Sequence, residues 1–192
     1  MTTPTELPVA PARPRTARRT ALAVAVVLVL LVAVLATRPN AADVVAASPL
    51  RGLPAPEIEG PDLDGKLTRL SDFRGRWVVV NFFATWCVAC LKEHPELVRF
   101  AERHAPEEVQ VLAVVYDDDL DEVRSFFADK GGKWPVIDSS PAKVDFGVLR
   151  VPESFLLAPN GIVVERLVGG VTAAGLDDLL AQAQAQAHAV AG

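Results

Sequence analysis

The sequence is nearly without cysteine: Cys87 and Cys90 are the only two in 192 residues. That scarcity excludes a disulfide-stapled scaffold, and the lack of a second pair leaves no four-thiolate zinc site. A bridge between residues so close in the chain closes too short a loop to add much stability. The pair is spaced instead for redox chemistry or for half of a metal site. A basic excess is also missing from the bulk of the chain. The net charge is −5, unevenly spread: residues 1–38 carry five arginines and one glutamate, giving +4. Residues 39–192 carry fourteen basic and twenty-three acidic side chains, giving −9. An acidic body of that size offers no electrostatic footprint for nucleic acid, so no nucleic-acid partner is expected. No internal repeat is present, and a composition that is 51% hydrophobic excludes general disorder.

Long apolar runs are absent but for one. Ala21 to Ala36 holds sixteen residues without a charge, directly after Arg13, Arg15, Arg18 and Arg19. As a helix it covers about 24 Å, a little under the roughly 30 Å hydrocarbon core, and Thr20 and Thr37 extend it slightly. A cleaved signal peptide and a retained signal anchor both fit such a segment. The best small-residue cleavage pattern, Val45–Ala46–Ala47, lies well beyond the run, which favours the anchor. Arg18–Arg19 resembles a twin-arginine signal, but the residues after it fit poorly. The arginines then keep residues 1–20 as a cytoplasmic basic tail and place the chain after residue 37 outside. The expected organisation is a tail over 1–20, a transmembrane signal anchor over 21–37, a linker over 38–52 and one domain over 53–188. The expected location is the cell membrane, crossed once, with the domain over 53–188 on the periplasmic side.

From Pro54 the pattern is globular. Asp64–Gly65 predicts a hairpin between Glu57–Gly60 and Lys66–Leu70. Trp77 to Phe83 and Val109 to Tyr116 predict strands buried on both faces. A helix from Cys87 to about His104 is expected to kink at Pro95. Leu120 to Lys130 predicts an amphipathic helix ended by Gly131–Gly132. A short edge strand over Pro135–Asp138 and one helical turn over Ala142–Phe146 follow. Asn160–Gly161 predicts a hairpin between Glu153–Ala158 and Ile162–Val168. Thr172 can cap a last helix from about Ala173 to Ala187. The early strands, joined through helices, should be parallel and the last pair antiparallel. The fold class is α/β, with helices on both sides of a mixed central sheet.

Cys87 lies where a strand gives way to a helix. A thiol there faces free backbone N–H groups and the positive end of the helix dipole, which favour thiolate. Such positions lower a cysteine pKa from about 8.5 to between about 3.5 and 7.5. Thiolate is the species that attacks a disulfide, and Cys90, one turn later, is placed to resolve the mixed disulfide. His94 lies one turn beyond Cys90, so three metal ligands are conceivable, but a fourth is not evident and no metal site is expected. His94, His104 and His188 are expected at the surface, and Trp77 and Trp134 as packing residues.

The segment Asn81–Phe82–Phe83–Ala84–Thr85–Trp86–Cys87–Val88–Ala89–Cys90 resembles the active-site segment of thioredoxin-like proteins. Phe146–Gly147–Val148 and Val151–Pro152–Glu153–Ser154–Phe155–Leu156 resemble their second signature, and the Pro-Asn-Gly turn follows it. The resemblance spans residues 53 to about 185. Asn81 stands where cytoplasmic thioredoxins carry a buried aspartate. Glu93–His94, the longer stretch between Tyr116 and Val151 and the anchor resemble the membrane-anchored TlpA, ResA and DsbE (CcmG) branch, including its cytochrome c maturation members.

The resemblance implies a thioredoxin-like fold with an N-terminal β-hairpin and a central insertion. It implies a cis peptide before Pro152 beside the cysteines, leaving the Val151 backbone free to pair with an extended substrate. It places a buried acid at Glu93, whose raised pKa suits proton transfer to a thiol. A solvated helix glutamate is the alternative there, since glutamate is rarely buried. Trp86 is expected as a flat wall beside Cys87, and Glu153 as a residue that selects substrate. No cofactor is implied beyond the dithiol. Expected partners are protein disulfide substrates (apocytochrome c or its maturation factors) and a membrane electron donor of the CcdA or DsbD type. Ala89 stands where the family often has proline, a difference that bears on the redox potential. An oxidase or isomerase of secreted proteins, or a copper-relay module, are the alternatives.

Overall fold

The structure, a computed structural model, describes residues 21, 24–30 and 49–191. Residues 24–30 are helical with exposed side chains. Among the described residues no helix is long and apolar enough to cross a membrane. Most of the anchor expected over 21–37 lies outside the described residues, as do the tail over 1–20 and most of the linker.

From Leu50 onward the chain builds two sheets. The hairpin pairs β1 (Glu59–Pro61) with β2 (Leu67–Arg69) in antiparallel register. The turn is set by Asp62, whose Oδ1 accepts from the N–H groups of Asp64 and Lys66 at 3.0 and 2.9 Å. The main sheet contains β3 (Trp77–Phe83), β4 (Val109–Val115), β5 (Val136–Ile137), β6 (Glu153–Leu157) and β7 (Val163–Val168). Its order is β5-β4-β3-β6-β7. The β3–β4 and β4–β5 pairs are parallel, whereas β3–β6 and β6–β7 are antiparallel. The helices are α1 (Val88–Arg103), α2 (Leu120–Lys130), α3 (Ser140–Asp145) and α4 (Ala173–Ala191). The helix α1 runs through Pro95 to Arg103 without a break.

Strand β3 is the centre of the sheet and explains how the site is positioned. Its side chains alternate between the two faces, as the period of two requires. Trp77, Val79 and Phe83 join one core cluster with Leu97, Phe100, Leu176 and Leu180 from α1 and α4. Val78, Val80 and Phe82 join the other with Ile58, Phe73, Phe146 and Phe155. The rings of Phe82, Phe146 and Phe155 pack with centroids 5.0 to 6.0 Å apart, largely edge to face. Asn81, the one polar residue of β3, has the parity of the face that α1 covers, and it is buried there. The hairpin docks where Gly60 meets β5: a β-carbon at Gly60 would lie 2.4 Å from the Asp138 carbonyl oxygen, so a side chain cannot be accommodated.

Candidate active site

Beyond β3 the chain makes a tight turn, closed by Cys87 N–H donating to the Ala84 carbonyl at 3.2 Å. Cys87 is then the N-cap of α1, with extended backbone angles, and its Sγ accepts the Cys90 N–H at 3.1 Å. One of the free N–H groups of the helix start is therefore aimed at this sulfur. Cys87 and Cys90 are joined as a disulfide. Cys90 is the less exposed of the two, at 3% against 7%. Around them stand exposed apolar side chains: Trp86, Val88 and Leu91.

One turn past Cys90, Glu93 is buried, with only 3% of its surface exposed. Its Oε1 accepts from Asn81 Nδ2 at 2.8 Å and its Oε2 from the Val171 N–H at 3.0 Å. The Asn81 amide also donates to Ser154 Oγ at 3.0 Å. Burial pushes the Glu93 carboxyl up to about 7, and the bonds from Asn81 and Val171 only partly offset it. The loop between β7 and α4 lies over this group: a β-carbon at Gly170 would sit 3.8 Å from Glu93 Oε2 and 4.0 Å from the Ala89 carbonyl. The solvated alternative for Glu93 is thus excluded.

The Val151–Pro152 peptide is cis. It precedes β6, whose Glu153 lies opposite Phe82 of β3, so it stands at the same end of the sheet as Cys87. Val151 packs against the core cluster that contains both cysteines. The Pro152 carbonyl accepts from the Gly169 N–H at 2.9 Å, tying this segment to the loop that covers Glu93.

Three expectations need correction. Glu153 was expected to face substrate, but it is 1% exposed and its Oε2 accepts from Arg166 Nε and Nη2 at 3.0 and 2.6 Å. Arg166 also donates to the Gly147 carbonyl at 3.2 Å, so Glu153 secures the loop before Pro152. His94 was expected on the helix surface, but it is buried among Phe126, Phe127 and Trp134. Its Nε2 lies 3.0 Å from the Gly131 carbonyl, and burial lowers its pKa. His104 is half-buried, with Nε2 2.8 Å from Asp177 Oδ1, and links α1 to α4. Among the described residues no three His, Cys, Asp or Glu side chains gather to hold a metal ion.

Trp86 is exposed, at 58%, yet its indole N–H donates to the Asp117 carbonyl at 3.1 Å. The Asp117–Asp119 run, Ser154 and Arg166 were not singled out in the sequence. One signal existed for the aspartates. They follow the C-terminal end of a parallel strand, where sites on such sheets are built.

The Redoxin family pattern matches residues 50–180. The thiol-disulfide oxidoreductase ResA of Bacillus thuringiensis is 34% identical over 131 residues, covering 67% of this chain and 76% of that protein. The ResA of Bacillus subtilis is 31% identical over 165 residues, covering 85% and 92%. Among solved structures, a putative thiol:disulfide interchange protein DsbE from Chlorobium tepidum superposes with a TM-score of 0.63. It is 28% identical, and the match covers 70% of this chain and 96% of that one.

Proposed function

The chain belongs to the Redoxin family and is a thiol–disulfide oxidoreductase of the ResA and DsbE type, and on that footing we propose that it is an extracytoplasmic reductase of protein disulfides. The substrates proposed are apocytochrome c or its maturation factors, and the electron source a membrane carrier of the CcdA or DsbD type. The tail, anchor, linker and catalytic domain are proposed over 1–20, 21–37, 38–52 and 53–188, with the arginine cluster before a charge-free run as support.

The observation that carries the exchange chemistry is the buried Glu93 carboxyl one helical turn beyond Cys90, pushed up by burial to about 7. In the forward direction Cys87 thiolate attacks the substrate disulfide. The S–S bond of the substrate breaks, one substrate sulfur leaves as thiolate, and a mixed disulfide forms on Cys87. Cys90 must then lose its proton to attack the Cys87 sulfur. A carboxylate with a pKa near neutrality is matched to receive that proton. The second substrate sulfur leaves, the protein retains the Cys87–Cys90 disulfide, and two electrons have passed to the substrate. Pro152 and Val151 frame the approach of the substrate chain, and Trp86 forms its wall.

Equilibrating the full-length chain with glutathione buffers gives the potential. A value near the roughly −270 mV of thioredoxin supports a reductase, whereas one near −120 mV marks a strong oxidant. A strain lacking the gene should lose covalent haem in its c-type cytochromes. An oxidising potential together with normal cytochrome c would overturn the proposal in favour of an oxidase.

A further inference from the structure

The run Asp117–Asp118–Asp119 lies between β4 and α2 and takes no part in the dithiol chemistry above. Each member is committed to a different neighbour. Asp119 caps α2, its Oδ1 accepting from the N–H groups of Asp121 and Glu122 at 2.8 and 3.2 Å. The Asp117 carboxylate pairs with Lys143 of α3, whose ammonium stands 5.3 Å from the centroid of the Tyr116 ring. Asp118 reaches the turn that precedes the cysteines. Its Oδ2 accepts the Thr85 N–H at 2.5 Å, and its Oδ1 accepts the Asp119 N–H at 2.9 Å. The Asp117 carbonyl takes the Trp86 indole N–H. Asp117 has φ +47, in the left-handed region that aspartate enters more readily than most residues.

Thr85 and Trp86 are the two inner residues of the turn closed by Cys87 and Ala84. Such a turn leaves its inner N–H groups to find partners elsewhere. The loop after β4 supplies one bond to the main chain at Thr85 and one to the side chain at Trp86. With more than half of the residue exposed, packing alone does not fix the indole, and these two bonds restrain it.

We infer that Asp118 is a positioning residue for the reaction. Through the Thr85 N–H, and together with the Asp117 carbonyl on the indole, it holds Trp86 as a fixed wall beside Cys87. A peptide disulfide is laid against that wall. A wall set in advance removes ordering cost on binding, and misalignment of reacting atoms is expensive in rate. A disulfide with no chain around it has nothing to lay against the indole and makes no use of it.

The inference rests on the reading of Cys87 as the attacking sulfur. The test compares reduction of a disulfide-bonded peptide with reduction of hydroxyethyl disulfide, by the full chain and its variants. Asp118→Ala should lose about tenfold in kcat/KM on the peptide and stay within about twofold on hydroxyethyl disulfide. Asp118→Asn, whose amide oxygen still accepts from Thr85 while the exposed Asp119 N–H turns to water, should stay within about twofold on both. Trp86→Phe keeps an aromatic ring but not the N–H, and should lose several-fold on the peptide. The double variant Asp118→Ala/Trp86→Phe should be no worse than the poorer single, because both release the same ring. The inference is overturned if Asp118→Asn is as impaired as Asp118→Ala, if the two losses add, or if both substrates suffer equally. Should Asp118→Ala fail to fold, full peptide activity in Trp86→Phe overturns it alone. A Cys87→Ser variant that still reduces hydroxyethyl disulfide would overturn the underlying reading and this inference with it.

Discussion

Asn81 of β3 donates its amide N–H to Glu93 of α1 at 2.8 Å, joining the central strand to the helix that carries both cysteines. The bond lies in the core, where it has two consequences. It gives a buried acid a neutral donor, which softens the cost of its charge without cancelling it. It also makes the register of α1 on the sheet depend on a polar contact.

Glu93→Gln tests the first consequence. Glutamine presents an NH₂ where one carboxylate oxygen accepted the Val171 N–H, so one buried bond is lost at about 1–2 kcal/mol. That loss should show in full at pH 4, below both pKa values. The wild-type carboxyl is raised from 4.5 to about 7, so the folded state holds a proton that the unfolded chain releases. Stability is therefore fully present below about pH 4.5 and falls as pH rises through 7, by about 3 kcal/mol. The variant has no such slope. Urea unfolding at several pH values should show the two curves closing above about pH 4.5, crossing between about pH 5 and 6, and running parallel above about pH 8 with the variant the more stable. Curves parallel throughout would mean that Glu93 does not titrate in this window.

Asn81→Asp sets a second carboxyl against Glu93 in place of the donor. At pH 5 the pair can share a proton and the fold should tolerate the change. As pH rises both carboxyls are pushed to ionise side by side in the core, which like charges resist strongly. The expected result is a stability deficit that grows with pH and reaches several kcal/mol by pH 8. A deficit independent of pH would point to lost packing instead.

The strands were legible because their causes are local. Trp77 to Phe83 is a run of β-branched and aromatic residues broken only by Asn81, and β3 has those bounds. The helix Leu120–Lys130 likewise follows from its apolar spacing and the glycine after it. The side-chain environments were less legible because their causes are distant. His94 reads as a surface residue until α2 and the Gly131–Trp134 segment close an aromatic cage around it. Glu93 is enclosed by Val171, 78 positions away, so only a family resemblance pointed to its burial. Glu153 beside Pro152 suggested substrate contact, and its partner Arg166 becomes visible only once β6 and β7 are in register.

Arg166→Met should be among the most damaging substitutions outside the dithiol. It leaves Glu153 in the core without its charge partner and removes the bond to the Gly147 carbonyl. Loss of one member of a buried pair costs about 3–5 kcal/mol, whereas replacing both by apolar residues is far milder. The double variant Glu153→Met/Arg166→Met should therefore recover most of the stability lost by Arg166→Met. Thermal unfolding of the three variants checks it. A double variant as unstable as the single would show that the pair is not the unit that matters.

The cysteines should divide their labour according to position on α1. Cys87 caps the helix, and its sulfur already accepts the Cys90 N–H at 3.1 Å. Cys90 lies inside the first turn and is the more buried residue of the two. Charge on Cys87 is thus favoured by helix-start N–H groups, while charge on Cys90 is opposed by burial. Cys90→Ser should still attack a protein disulfide and accumulate a mixed disulfide, because the resolving thiol is gone. Cys87→Ser should form none. The pH dependence of iodoacetamide alkylation in the Cys90→Ser variant should give a thiolate pKa below the ordinary value of about 8.5. The same measurement on Cys90 in the Cys87→Ser variant should give a value above it. Mass spectrometry of complexes trapped on Cys90→Ser would identify the substrate proteins directly. Faster alkylation of Cys90 than of Cys87 would reverse the assignment, since the sulfur that is thiolate at neutral pH is the one that can begin the exchange.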